Sequence, residues 1–235
     1  MIANAPKDRL IIALDLPSTE EARAMVEAIG DAAVFYKIGL QLFPLGGAAL
    51  ARALVAAGKQ VFLDFKYFDI GATVEKATRS ATQLGAHLLT VHAERATVAA
   101  AVAGRGDDPT LKILAVTVLT SMDEAAVSEM GWTGSVRDLV MKRAAIAFEE
   151  GADGVVASPE EAGALRAAFG PDKLIVTPGV RPAGAALNDQ KRVATPEAAI
   201  KAGASHLVVG RPVTAADDPA AAAAAIVSGI ADARA

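Results

Sequence analysis

The sequence predicts an α/β fold in which one domain, residues 1–235, forms a (β/α)8 TIM barrel. Short apolar runs rich in β-branched residues recur along the whole chain, as expected of parallel strands that are buried on both faces. Alanine-rich segments with helical spacing lie between these runs. An open, doubly wound sheet is the alternative arrangement of the same elements. The predicted strands cover residues 10–16, 33–38, 60–64, 87–92, 112–119, 153–157, 173–177 and 206–210.

The segments between the strands carry the start signals of helices. In the first of them, Ser18 and Glu21 form a capping box pattern. Later helices are expected to begin at Ser158 and Thr195, because each is a capping residue followed directly by proline. The alanine-rich segment 219–235 is predicted to be the last helix of the barrel.

Composition limits the classes of ligand and partner. The chain has no cysteine, which excludes disulfides and cysteine metal sites and fits a reducing compartment. No apolar run is long enough to span a bilayer, and the N-terminus lacks the pattern of a secretory signal, so we expect a cytoplasmic protein. The formal net charge is −4 with acids and bases interspersed, and no basic stripe suits nucleic acid. We therefore expect a small-molecule ligand, with neither nucleic acid nor membrane as a partner.

A charged cluster follows the third predicted strand. Asp64, Lys66 and Asp69 come directly after the apolar run 61–63. Charges that leave water together must pair, because desolvating each one costs on the order of several kcal/mol. The cluster is therefore either a structural ion network or an active site. Its place at the C-terminal end of a strand favours an active site, because barrel enzymes carry their chemistry at that end.

The loops after strands 7 and 8 favour a phosphate site. Arg181 opens a long connection after strand 7, and Gly210 and Arg211 follow strand 8. These two loops form the usual phosphate pocket of this fold, and the guanidinium fork matches phosphate oxygens. Ordinary surface arginines are the alternative. Other predicted strands also end in residues able to bind or react, namely Asp15, Lys37, His92, Thr120 and Pro178.

With these residues, the sequence resembles the orotidine 5'-phosphate decarboxylase family over nearly the whole chain. The resemblance implies a barrel enzyme that converts orotidine 5'-monophosphate (OMP) to UMP in de novo pyrimidine biosynthesis. It also implies a homodimer that needs no metal and no organic cofactor. The motifs that carry it are Asp64-x-Lys66-x-x-Asp69-Ile70, Thr90-Val91-His92-Ala93, Pro178-Gly179-Val180-Arg181, Asn188-Asp189-Gln190 and Val209-Gly210-Arg211-Pro212.

The resemblance assigns a role to each matching residue. Lys66 delivers the proton to C6 of the pyrimidine, and Asp64 faces the departing carboxylate. Lys37 and Asp69 complete an alternating charged network. In this reading Asp69, Ile70 and Thr73 come from the neighbouring subunit. The remaining implied contacts are Asp15 and Lys37 with the ribose hydroxyls, Thr120 with the pyrimidine, Pro178 against the base, and Arg181, Gln190, Gly210 and Arg211 around the phosphate.

Two other functions share part of the pattern. A sugar-phosphate decarboxylase branch of the same superfamily has the Asp-x-Lys-x-x-Asp spacing and uses it to help hold Mg²⁺. A barrel that binds phosphates without catalysis is the other alternative, but such a protein has no need for an interleaved array of charges. The chain departs from the decarboxylase pattern at Gly71-Ala72, where many members carry Pro-Asn.

Overall fold

A computed structural model of the chain describes residues 5–182 and 194–233. Its eight parallel strands form a closed barrel in chain order, because β1 pairs with β8 as well as with β2. Closure confirms the predicted (β/α)8 TIM barrel and excludes the open sheet. The strands are β1 (Leu10–Ala13), β2 (Phe35–Gly39), β3 (Gln60–Tyr67), β4 (Leu88–His92), β5 (Lys112–Val116), β6 (Gly154–Val156), β7 (Leu174–Thr177) and β8 (His206–Val209).

Helices surround the barrel, and two short ones were not predicted. These are α5 and α9, which lie in the loops after β5 and β8. Within the described part of the chain, no helix combines the length and the apolar character needed to cross a membrane. The α-helices are α1 (Thr19–Ile29), α2 (Gly47–Ala56), α3 (Gly71–Thr82), α4 (Arg95–Arg105), α5 (Glu124–Glu129), α6 (Val136–Glu149), α7 (Pro159–Phe169), α8 (Pro196–Lys201), α9 (Arg211–Thr214) and α10 (Pro219–Asp232), and 3-10 turns cover Pro6–Arg9, Gly30–Ala32 and Phe43–Leu45.

The predicted helix starts are confirmed. Ser18 caps α1 by accepting a hydrogen bond from the backbone N–H of Glu21, at 3.1 Å. The Glu21 carboxylate accepts from the Ser18 hydroxyl at 3.3 Å, so the return bond of a full capping box is replaced by a side-chain contact. Ser158 caps α7 by accepting a hydrogen bond from the backbone N–H of Glu160, and Thr195 caps α8 by accepting one from the backbone N–H of Ala198.

Several strand boundaries differ from the prediction. β1 and β5 end at Ala13 and Val116, earlier than predicted, because the apolar residues Leu14 and Val118 are buried without belonging to regular strand. An apolar run in the sequence indicates which residues are buried, but it does not show whether a buried residue lies within a strand or just beyond its end. β3 runs further than predicted, through the charged cluster to Tyr67.

The interior of the barrel is polar at the C-terminal ends of the strands and apolar beneath that polar layer. Phe35, Phe62 and Leu88 pack together inside it. Because side chains alternate between the two faces of a strand, the residue two positions later also points inward. The sequence places a polar residue at each of these positions, which are Lys37, Asp64 and Thr90. The strand pattern therefore builds a polar layer at the C-terminal end of the barrel, above an apolar floor.

At the opposite end, His206 is expected to make folding sensitive to acid. Its side chain is buried at the start of β8, with its ring edge-on to Phe35. Burial, and then the charge of Arg9, lowers the pKa of His206 to about 4. An unfolded histidine titrates near pH 6.5, so the unfolded chain binds more protons between about pH 6.5 and 4 and stability falls as the pH drops.

We expect this group to remove about 3 kcal/mol from the free energy of unfolding between pH 7 and pH 4. Urea unfolding of the wild type and His206→Leu at both pH values measures it. The pH-dependent loss should be smaller in the variant by that amount. An equal loss in both proteins would contradict the assignment.

Candidate active site

A cavity of about 510 Å³ opens at the C-terminal ends of the strands. Its volume lies in the range of about 300–1,000 Å³ that is typical of small-molecule sites. Its walls combine polar side chains with apolar residues from the floor of the barrel. The structure brings nine of the predicted site residues together around it, namely Asp15, Lys37, Asp64, Lys66, Thr120, Pro178, Arg181, Gly210 and Arg211.

Four charges alternate in sign along one side of the cavity. The Lys37 ammonium lies 2.9 Å from Asp15 Oδ1 and 3.5 Å from Asp64 Oδ2. The Lys66 ammonium lies 2.8 Å from Asp64 Oδ1. These residues come from three neighbouring elements, which are the end of β1, strand β2 and the end of β3. The order of strands around the barrel thus builds the array Asp15–Lys37–Asp64–Lys66.

The environment keeps Asp64 ionised. Burial acts to raise the pKa of this carboxyl, but the charges of Lys37 and Lys66 and hydrogen bonds from Lys66 and Thr90 outweigh burial and hold the pKa below its usual value. Each carboxylate of the array therefore faces an ammonium group. In the described segments, no three His, Cys, Asp or Glu side chains cluster as a metal site.

Lys66 has an unusual backbone conformation. Its φ is +50°, the only positive φ at a non-glycine residue in the described segments. The left-handed region costs a non-glycine residue roughly 1–2 kcal/mol. The pairing of β3 with β4 also changes register between Leu63 and Tyr67, which brackets this residue. Strain at a charged cluster that faces a cavity indicates a functional constraint.

Two residues of the site were missed by sequence reasoning. The Thr90 hydroxyl accepts a hydrogen bond from the Lys66 backbone N–H at 3.0 Å and donates one to Asp64 Oδ1 at 2.9 Å. The inward alternation from Leu88 to Thr90 is the sequence pattern that could have identified it. Gly39 leaves space for the charged groups of Lys37 and Asp15. A Cβ atom at this position would lie 3.1 Å from Lys37 Nζ and 3.2 Å from Asp15 Oδ1. No local pattern marks that position.

Two arginines form the cationic part of the cavity. Arg181 is buried, and within the described residues its Nε has no hydrogen-bond partner. Burial lowers the pKa of Arg181, and the nearby charge of Arg211 lowers it further. Two like charges that share a cavity favour an anionic ligand between them. Gly210 precedes Arg211 and also lines the cavity.

Three predicted site residues lie outside the cavity of their own chain. Asp69, Ile70 and Thr73 are exposed at the start of α3. The Asp69 carboxylate accepts a hydrogen bond from the Ile70 N–H at 2.6 Å, and it forms no ion pair with any residue that the structure describes. A fourth predicted residue, Gln190, lies outside the described residues.

Comparisons with known proteins agree on one family. The family model described as "Orotidine 5'-phosphate decarboxylase / HUMPS family" matches residues 8–226. An orotidine 5'-phosphate decarboxylase of Methylobacterium sp. (strain 4-46) is 60% identical over 230 residues, which cover 97% of this chain and 98% of that protein. One from Methylobacterium radiotolerans is 59% identical, covering 96% and 97%. The crystal structure of orotidine 5'-phosphate decarboxylase from Lactobacillus acidophilus is similar with a TM-score of 0.84 and 36% identity, covering 95% of this chain and 99% of that one.

Proposed function

The chain belongs to the orotidine 5'-phosphate decarboxylase / HUMPS family, and we propose that it converts OMP to UMP in de novo pyrimidine biosynthesis with Lys66 as the proton donor. The observation that carries the proposal is the Lys66 ammonium, held 2.8 Å from the partly buried Asp64 carboxylate at the cavity wall. The proposed reaction uses neither a metal nor an organic cofactor. The catalytic unit is the single domain formed by the whole chain, acting in the cytoplasm.

The reaction needs a cation at C6 of the pyrimidine. When the bond from C6 to the carboxylate breaks, CO2 leaves and the electron pair stays in an in-plane orbital that the ring carbonyls cannot delocalise. An ammonium group about 4 Å from this charge contributes roughly 4 kcal/mol at an effective dielectric of about 20. Lys66 then transfers a proton from Nζ to C6, which gives UMP, and it takes up a proton from water. We assign most of the catalysis to this stabilisation of the transition state.

Asp64 has two proposed roles. As an anion it repels the substrate carboxylate, and this repulsion vanishes as neutral CO2 departs. It also holds the Lys66 ammonium in place through the ion pair at 2.8 Å. Its low pKa supports both roles, because each requires the ionised carboxylate.

Substrate binding is assigned to the rest of the cavity. The phosphate is assigned to Arg181, Gly210, Arg211 and Gln190. This group of the substrate is remote from the reacting carbon, C6. Binding energy from this remote group is used to assemble the reactive geometry around the base. The ribose and the base are bound by Asp15, Lys37, Thr120 and Pro178.

The proposed active unit is a homodimer with shared sites. Asp69, Ile70 and Thr73 are exposed and do not line the cavity of their own chain, which supports a role in the site of the neighbouring subunit. Apolar side chains are exposed beside them, with Phe68 at 66% and Ile70 at 72%. Leu40, after the adjacent strand β2, is 63% exposed. Exposed apolar groups of this kind are typical of a protein interface.

The test follows the absorbance of OMP with purified protein in excess chelator. We expect complete conversion to UMP, and we expect orotidine, which lacks the phosphate, to react far more slowly. No conversion of OMP would refute the proposed function. Activity that chelation abolishes would favour the Mg²⁺-dependent sugar-phosphate chemistry. Equal turnover of orotidine would refute only the role given to phosphate binding.

A further inference from the structure

We propose that Thr90 is a positioning residue for this reaction, whose hydroxyl holds Lys66 in its left-handed conformation and fixes Asp64 against the Lys66 ammonium. The inference rests on the proposed function, because it takes Lys66 as the proton donor. Thr90 itself does not line the cavity. It therefore acts through Lys66 and Asp64.

The need for such a residue comes from the irregular pairing of β3 with β4. Leu63 pairs with Leu89 and Tyr67 pairs with Val91, so β3 advances four residues while β4 advances two. The extra residues form a bulge, and bulged residues lose their regular ladder partners. Thr90 is the β4 residue between Leu89 and Val91. Its hydroxyl accepts the Lys66 N–H at 3.0 Å and so takes the place of a backbone acceptor.

One hydroxyl can make both contacts at once. A threonine oxygen has one proton and two lone pairs. The proton goes to Asp64 Oδ1 at 2.9 Å, while a lone pair accepts the Lys66 N–H. Asp64 Oδ1 also accepts from Lys66 Nζ at 2.8 Å. The result is a closed ring of hydrogen bonds that links the backbone of Lys66 to its own side-chain ammonium.

Burial makes this ring hard to replace. Thr90 is fully buried, so water does not readily substitute for its hydroxyl. Without it, the Lys66 N–H loses its acceptor, and the cost of a positive φ is no longer offset at that residue. If the backbone relaxes, the Cα–Cβ direction of Lys66 changes and the ammonium moves away from C6. The substrate contacts stay in place, so we expect a loss in kcat rather than a rise in KM.

The test compares Thr90→Val, which removes the hydroxyl at nearly constant shape, with Thr90→Ser, which keeps it. We expect Thr90→Val to lower kcat about 100-fold, because small misplacement of a reacting group has effects of this size. KM for OMP should stay near the wild-type value. Thr90→Ser should retain kcat within about threefold, because serine has the same donor and acceptor capacity.

Ser205→Ala is the matched control for loss of a buried hydroxyl. Ser205 Oγ accepts the N–H of Ile175 at 2.9 Å, at the opposite end of the barrel from the cavity. This variant should lose stability in urea unfolding while its kcat stays unchanged. A fall in kcat with Ser205→Ala as large as with Thr90→Val would mean that general destabilisation explains both, which would overturn the inference.

Crystal structures of wild type and Thr90→Val separate this inference from the proposed function. In Thr90→Val we expect Lys66 to leave the positive φ region or its ammonium to leave Asp64. Unchanged geometry with unchanged kcat would overturn the role of Thr90, as would a Thr90→Ser variant as slow as Thr90→Val. If the wild type does not turn over OMP, the proposed function fails. The two crystal structures then still decide whether Thr90 holds Lys66.

Discussion

Replacing Lys66 with alanine is expected to lower kcat for OMP by about 10⁴-fold or more. General acid catalysis contributes typically about 10²–10⁴-fold, and one well-placed charge contributes about 10²–10³-fold. Lys66→Ala removes both at once. Steady-state absorbance assays, extended with high enzyme concentration for the slow variant, measure the loss.

The fold should survive this change. Asp64 keeps the Lys37 ammonium at 3.5 Å and the Thr90 hydroxyl at 2.9 Å, so the partly buried carboxylate retains two partners. Lys66→Gly is a useful second variant, because glycine adopts a positive φ without strain. The control is Lys112→Ala, which removes an ion pair with Asp153 at the other end of the barrel. Turnover by Lys66→Ala near the wild-type rate would exclude Lys66 as the proton donor.

Mixing two inactive variants is expected to restore about a quarter of the wild-type activity. If Asp69 serves the neighbouring subunit, pairing a Lys66→Ala chain with an Asp69→Ala chain puts both substitutions into the same site and leaves the other site undamaged. One site of each mixed dimer then has Lys66 from one chain and Asp69 from the other, both intact. Random exchange makes half of the dimers mixed, so about a quarter of all sites are complete. Assays after unfolding and refolding the variants together measure the recovery.

The matched control is a mixture of Lys66→Ala with Asp64→Ala. Both residues line the same cavity within one chain, so no pairing of these chains gives a complete site. This mixture should stay inactive. Recovery in the control but not in the test mixture, or no recovery in either, would argue against a shared site.

Much of the fold could be predicted from the sequence because a strand that is buried on both faces appears as a continuous apolar run. The eight apolar runs marked the eight strands, and polar residues just after them marked the rim of the barrel. The ends of β1 and β5 were less accurate, since Leu14 and Val118 are buried just beyond the strands. The short helices α5 and α9 lie in loops, where the sequence has no strong periodic pattern that would predict a helix.

The site was predictable in its residue types but not in its geometry. Charged residues at strand ends identified Asp64 and Lys66, and the barrel order brings Lys37 and Asp15 beside them. The positive φ of Lys66 could not be predicted, because it depends on the register between β3 and β4. The contact from Thr90 depends on the same register. Neither is visible in the composition or spacing of one strand.

Gly39 shows that an evolving active site can be constrained by a position with no reactive group. Its φ is not positive, so backbone freedom does not explain the residue. The constraint is volume, because the first side-chain atom at this position would approach both Lys37 and Asp15. The size of the side chain at residue 39 is therefore limited by the neighbouring charged groups of Lys37 and Asp15. A larger side chain at residue 39 would require the ends of the Lys37 and Asp15 side chains to shift, and with them the ion pair at 2.9 Å that joins the two.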